Sequence, residues 1–369
     1  MSLSLRSLCL GDGRPPHGVL LVVRRIAWPL AGGVTGLLIG GVPSIALAVP
    51  RPNWNPGPPW APLTPHSSEM LQISHLFWVM LALSAIIFVG VTGAVLYSAF
   101  KFSAKPGDEG EPSQVYGDRR VEIAWTLVPF LILIVAFGFT VDYIHNINTP
   151  PSGSHPLNIN AIGHQWWWEF DYPTLGVTTA DEVHVPAGVP LHFHVQSYDV
   201  IHSFWVPELQ RQIDANPGQD NAVFAEMSTP GTYDGMCYEY CGEAHAWMKF
   251  RLVVQTKRTF SDWIKHERTA AATPTTGLQK LGQRIFLHTT CVNCHAITGT
   301  SAGGAVGPNL THLGSRWTVG AGAAPMTTSA LEQWINDPNY FKPGVNMPPY
   351  PFMSQKQLRA LAAYLISLK

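Results

Sequence analysis

Two uncharged apolar runs with a basic loop between them constrain this chain more than any other feature. Leu76 to Phe100 carries no charge over 25 residues, and Ile123 to Val141 carries none over 19. As helices they measure about 37 Å and about 28 Å, enough to cross a hydrocarbon core of roughly 30 Å. Lys101, Lys105, Arg119 and Arg120 lie near their facing ends, and basic flanks stay inside. The pattern predicts a two-helix transmembrane hairpin over residues 75–148 with both outer flanks on the far side. Core helices of a soluble domain are also apolar, but they are seldom paired across a basic loop. Upstream, Ile26 to Ala48 is uncharged, follows Arg24 and Arg25, and ends in Ala46-Leu47-Ala48. It reads as a signal peptide, residues 1–48, cleaved after Ala48. An uncleaved anchor would deliver Val49, and the segment 49–74, to the same outer side.

The rest of the chain divides by charge. The net −1 of the whole is too small for a strongly basic nucleic-acid binder. It conceals +1 over 1–148, −7 over 149–277 and +5 over 278–369. An almost neutral anchor thus carries an acidic domain and then a basic one.

In the acidic part, short apolar runs are punctuated by Pro and Gly: Leu157–Ile162, Trp166–Phe170, Val189–Val195, Asn221–Met227 and Phe250–Val254. The alternation of Leu191, Phe193 and Val195 predicts antiparallel strands and a small β-barrel over 149–265. Its last turns hold Cys237, Cys241, His245 and Met248 within twelve residues. Soft sulfur with imidazole suits copper or zinc, and a second thiolate lets both sulfurs bridge two ions. A Cys237–Cys241 disulfide or a zinc site would use the same thiols but leaves Met248 without a role. His202, at a strand end in Asp199-Val200-Ile201-His202-Ser203-Phe204, is the candidate for a second imidazole. Cys9 stands alone.

From about Pro65 to Arg268 the chain resembles the subunit II family of haem–copper oxidases. The resemblance rests on Val121 to Pro129, on Gly163-His164-Gln165-Trp166-Trp167-Trp168, on Asp199 to Phe204 and on Cys237 to Met248. It implies a cupredoxin-like domain with a binuclear CuA centre. Cys237 and Cys241 would bridge, His202 and His245 would be terminal, Met248 weakly axial, and Glu239 would offer its backbone carbonyl. It further implies that the carboxylates of Asp214 and Glu239 face subunit I near a magnesium site. Glu122 would stand at the inner mouth of a proton pathway, and Trp166 would be the aromatic residue through which electrons arrive. The bland readings are interfacial hydrogen bonds for the first two, a helix N-terminal acid for Glu122, and strand core or interface for Trp166–Trp168.

His266 to Gly277 is small and polar, including Ala-Ala-Ala-Thr-Pro-Thr-Thr, and reads as a flexible linker. Residues 278–369 are few for a self-sufficient core, and a buried cofactor would supply the missing contacts. Cys291-Val292-Asn293-Cys294-His295 is the covalent haem-attachment pattern. Leu278, Leu281 and Ile285 mark one helix, and Leu358, Leu361, Leu365 and Ile366 another. This stretch resembles all-α class I cytochromes c. The resemblance implies that the Pro308 carbonyl supports His295 and that Met347, in Asn346-Met347-Pro348-Pro349, is the second axial ligand. Met326 and Met353 are the competitors.

Together these resemblances imply the fused subunit II–cytochrome c chain of a caa3-type oxidase in the cell's inner membrane. One haem c would take electrons from an external donor and CuA would pass them to haem in subunit I, where oxygen is reduced to water. The chain has no oxygen site of its own. A CuA-containing nitrogen-oxide reductase component and a membrane-tethered carrier without a catalytic subunit are the competing readings. The charge split adds an expectation: the basic domain docks on the acidic one, and salt up to about 0.5 M slows transfer between them.

Overall fold

The computed structural model describes residues 64–103, 107, 110, 114, 116–150, 155–209 and 211–369. The expected signal peptide, Cys9 and Lys105 lie outside the described residues. Helix α1 spans Ser68–Lys101 and α2 spans Arg119–Ile147. Both apolar runs are exposed along their lengths, as in Phe88 and Phe137, which is what lipid-facing or partner-facing helices require.

Helix α1 begins eight residues before Leu76 and ahead of the boundary expected at 75. Ser67 caps it, accepting the Met70 N–H at 2.9 Å, and its hydroxyl donates to the Leu209 carbonyl. Two residues on, the buried carboxylate of Glu69 accepts the Glu226 N–H at 3.0 Å. The first turn therefore belongs to the packing of the middle domain, and polar bonding there continues the helix beyond its hydrophobic limit. Helix α2 starts where Asp118 accepts the Arg120 N–H at 2.8 Å.

The middle domain is built of strands β1 (Leu157–His164), β2 (Trp167–Tyr172), β3 (Val177–Ala180), β4 (Glu182–Pro186), β5 (Pro190–Ser197), β6 (His202–Trp205), β7 (Ile213–Ala215), β8 (Asn221–Glu226), β9 (Gly231–Cys237) and β10 (Lys249–Gln255). They form two five-stranded sheets, β3-β2-β1-β5-β8 and β4-β10-β9-β6-β7. The expected barrel is thus a two-sheet cupredoxin-like sandwich. Asp181, in the left-handed region at φ 60°, turns the chain out of β3 and into β4 of the other sheet. Between the sheets Phe204 stacks on Phe250 at 5.0 Å, and Trp168 meets both rings edge-on.

After β10, helix α3 (Lys257–Glu267) leads towards α4 (Gly277–Leu287), α5 (Cys291–Cys294), the two-residue strands β11 (Thr318–Val319) and β12 (Ala324–Pro325), α6 (Thr328–Asn336) and α7 (Gln355–Ile366). The short β11–β12 hairpin is the departure from an all-α domain. Thr276 with Gln279, and Ser354 with Gln357, form capping boxes that start α4 and α7. A Cβ at Gly282 would lie 2.0 Å from the Ala360 carbonyl, so glycine is what lets α4 and α7 cross closely. The linker is not free. The Ala271 N–H donates to Thr298, His312 bonds the Thr269 carbonyl, and Ala270 lies against Gly299. Backbone bonds of this kind leave no mark on composition, which reads such a strap as a flexible tether.

Candidate functional site

The thiols of Cys237 and Cys241 are buried and 3.8 Å apart, well beyond a disulfide bond of about 2.05 Å. Cys237 ends β9, and β6 pairs alongside so that Phe204 faces Cys237. This register brings His202, at the head of β6, over the loop with Nδ1 3.9 Å from Cys237 Sγ. The loop returns through a 3-10 turn, His245–Trp247, which sets His245 Nδ1 3.5 Å and Met248 Sδ 3.9 Å from Cys241 Sγ. The Glu239 carbonyl lies 3.2 Å from Cys237 Sγ. All six residues expected to hold copper converge. Two unlinked thiols, two imidazoles, a thioether and a carbonyl form a soft donor set of the kind copper takes, so the site fits the group.

Nearby side chains set the protonation of these donors. Asp199 accepts from His202 Nε2 at 2.7 Å, which leaves Nδ1 as the nitrogen facing the sulfurs. Burial opposes ionisation of Asp199, but bonds from His202, Val200 and Gln165 outweigh it and hold the carboxyl below its usual range. The hydrogen bond between the thiols lowers Cys237 and raises Cys241, because the first proton to leave makes the second harder to remove. Gly163 makes room for the imidazole: a Cβ there would lie 2.7 Å from the His202 ring.

Trp166 is 6% exposed and donates from Nε1 to the Cys241 carbonyl at 3.0 Å. Gln165 Nε2 reaches the same oxygen at 2.7 Å. Trp168, two residues on, is core, and Trp167 stacks on His164 at 4.3 Å. Trp166 thus bonds the metal loop directly, while Trp168 meets the His202 ring edge-on at 6.1 Å. Asp214 on β7 and Glu239 are exposed, and among the described residues neither joins a cluster of three ligating groups. Glu122 is exposed in the first turn of α2, where the helix dipole favours an acid.

In the C-terminal domain, Cys291 and Cys294 are free thiols on α5, and His295 follows at its end. His295 Nδ1 faces the Pro308 carbonyl at 2.8 Å, leaving Nε2 to ligate. A Cβ at Gly307 would lie 2.6 Å from that ring, so the loop is shaped to the imidazole. Desolvation keeps the pKa of His295 below its usual value, which favours the neutral, ligating form. These residues fit a covalently held haem. Met326 and Met347 both pack against the domain's core, and Met353 is buried within it. Met347 is distinguished by an indole: Trp334 Nε1 lies 3.1 Å from its sulfur.

A second ligating group, His266, Glu267 and His312, occurs near the linker. The Arg316 guanidinium acts on both Glu267 and His312 and opposes a cation there.

Sequence reasoning left four residues without roles. Asp199 stands three residues before His202, a spacing that invites a carboxylate–imidazole pair. Gln165 lies inside the aromatic run. Lys342 and Asn346, from the C-terminal domain, reach the carbonyls of Trp166 and Gln165; Asn346 stands beside Met347 in its motif, and no sequence signal marks Lys342.

Three family profiles match the chain. Cytochrome c oxidase subunit II, transmembrane domain, matches residues 64–140; the periplasmic domain of the same subunit matches 174–256; and cytochrome c matches 279–369. The chain is 36% identical over 294 residues to cytochrome c oxidase subunit 2 of Alkalihalophilus pseudofirmus, covering 77% of this chain and 85% of the relative. It is 31% identical over 283 residues to that of Bacillus subtilis, covering 72% and 79%. The solved periplasmic domain of subunit II from Bradyrhizobium japonicum aligns at 29% identity and TM-score 0.30, over 30% of this chain and 93% of that one. The chain belongs to the cytochrome c oxidase subunit II family and carries a cytochrome c domain. It is a membrane-bound subunit of an oxidoreductase complex, with an extracellular domain, and its role is electron transfer. Its domains imply the copper of CuA and a haem.

Proposed function

We propose that this chain is the electron-accepting subunit of a caa3-type cytochrome c oxidase of the cell's inner membrane. Cys291 and Cys294 would hold one covalent haem c, with His295, supported by Pro308, and Met347 on its iron. Cys237 and Cys241 would bridge a copper pair completed by His202, His245, Met248 and the Glu239 carbonyl. When bound, each group stores and releases one electron, at potentials set by soft and mixed nitrogen–sulfur ligation. The chain's own residues hold the two sites at a fixed separation, exclude water from the copper thiolates, and fix the ligand tautomers through Asp199 and Pro308. Electrons from an external donor would leave the copper side for haem in subunit I, where oxygen is reduced to water. Asp214 and Glu239 suit a magnesium site shared with that subunit, and Glu122 suits the mouth of a proton path.

The observation that carries this reading is Trp166, which bonds the Cys241 carbonyl with its indole while its own carbonyl is held by Lys342 of the haem domain. Purification from membranes tests it. A copper pair and one covalent haem per chain, in a complex with a partner of many spans, support the proposal. A single copper or none, or a stable isolated chain, refutes it.

A further inference from the structure

We propose that Lys342 is a positioning residue for electron transfer within the chain: its ammonium pins the Trp166–Trp167 peptide to the haem domain and so holds the Met347 segment over the Cys241 loop.

Lys342 is 2% exposed. A buried ammonium is unfavourable unless it is paired and bonded, so its partners indicate what the site is built to hold. Its Nζ donates to the Trp166 carbonyl, across the domain boundary, and to the Gly320 carbonyl at 3.2 Å within its own domain. The charge of Asp181 acts on it from the copper domain. Asp181 is itself fixed, since its carboxylate accepts the Trp168 N–H at 3.0 Å. The lysine thus bonds one carbonyl on each side of the boundary, with the Asp181 charge acting on it from the copper domain.

The residues that follow extend the same contact. A Cβ at Gly344 would lie 2.6 Å from Glu243 Cβ, so the haem-domain backbone runs directly over the copper loop. Asn346 Nδ2 donates to the Gln165 carbonyl at 3.0 Å. Lys342, Gly344 and Asn346 therefore meet the copper domain at every second position, and Met347 comes next. On the copper side, the side chains of Gln165 and Trp166 both end on the Cys241 carbonyl, at 2.7 Å and 3.0 Å. Their two carbonyls are held by the haem domain and their two side chains by the copper loop. A second line of contact starts from the same ammonium. Gly320 lies against the Trp334 ring, and the Trp334 indole bonds the Met347 sulfur.

A tether alone gives a high effective concentration but leaves orientation free. The latch supplies the orientation. One electron leaves the haem domain as one enters the copper domain, and no bond is made or broken. The inference rests on the proposed relay for its purpose, but the latch is measurable without any electron flow.

The test uses the assembled oxidase and the Trp317 amide, which donates across the boundary to Glu182 Oε1 at 2.7 Å. Hydrogen exchange of this amide follows the undocked population. Lys342→Met should speed it roughly tenfold to a hundredfold, the range for stranding buried acceptors. The Leu361 amide in α7 should not change. Flash-initiated transfer from haem to copper should slow in the same variant, while reduction of the haem by an added small reductant should not. Unchanged Trp317 exchange overturns the latch, and unchanged transfer with faster exchange overturns the positioning role. If Lys342→Met speeds Leu361 equally, the exposed Asn346→Ala is decided by the same comparison. Failure of transfer in the wild-type chain, with the exchange contrast intact, would instead refute the relay.

Discussion

Removal of the Asp199 carboxylate should weaken copper binding without touching a ligand. The carboxylate accepts three hydrogen bonds, each at 2.7 Å, from His202 Nε2, the Gln165 N–H and the Val200 N–H. His202 is 0% exposed, and Asp199→Ala removes the partner of its ring N–H. Leaving such a donor unpaired costs about 1–3 kcal/mol. Independently, losing the outer partner of a ligating histidine typically lowers metal affinity about 10–100-fold, which is about 1.4–2.7 kcal/mol. The two estimates agree because they describe one event: the imidazole loses the bond that fixes its tautomer and its direction. Copper affinity would be measured on the full chain by competition with a chelator, followed by the visible spectrum of the copper pair. His194 and Asp220 supply the control. Their contact is 2.8 Å but lies at the surface, where an ion pair is worth roughly 0–1 kcal/mol, so Asp220→Ala should leave copper affinity unchanged. Wild-type copper affinity in Asp199→Ala, or an equal loss in Asp220→Ala, would refute this role for the carboxylate.

Three further outcomes follow from the geometry. In Gly307→Ala the new methyl, 2.6 Å from the His295 ring, should push the imidazole off the Pro308 carbonyl. Haem would stay attached through Cys291 and Cys294 with an altered spectrum, and an unchanged spectrum would refute the steric account. Glu182 gives a pH dependence: burial raises its pKa from 4.5 to about 7, with the Trp317 N–H, Arg316 and Arg251 pulling it down and Asp181 pushing it up. The docked form holds this proton more tightly than the open form, so its contribution is complete below about 4.5 and lost as pH rises through about 7. Trp317 exchange, corrected for its intrinsic pH dependence, should show more opening at about pH 8 than at about pH 5, and equal opening would refute this. Salt should have little effect on haem-to-copper transfer: Lys342 and Glu182 are 2% and 4% exposed, and buried charges are poorly screened. A steep fall by about 0.5 M would show instead that surface fields hold the domains together.

Much of the fold could be read from local pattern. Five strands, both membrane-length helices and the helices carrying Leu281 and Leu361 announce themselves by period and by length. Strands β3, β4, β6, β7 and β9 do not. β7 is three residues long, and β9 begins Gly231-Thr232-Tyr233-Asp234-Gly235, a composition better suited to a turn than a strand. Gly235 is needed there because a Cβ would meet the Phe250 ring at 2.2 Å. That requirement comes from a residue fifteen positions away and is invisible locally. The same is true of the start of α1, which depends on Glu69 meeting β8.

The residues proposed to hold copper stood out for a different reason: two thiols, an imidazole and a thioether crowded between Cys237 and Met248 have little other use. Their supports did not, because Asp199, Lys342 and Asn346 are ordinary polar residues whose roles lie in their partners. Charge shows the limit most clearly. The sequence pairs an acidic domain with a basic one, and the boundary does set Asp181 and Glu182 against Lys342 and Arg316. Composition supplies the signs, but only burial determines what they do. Exposed opposite charges would steer a loose, salt-sensitive encounter. The same charges closed off from water, bonded to carbonyls and a backbone amide, select one orientation of one domain on the other, and that orientation is what transfer between two fixed centres requires.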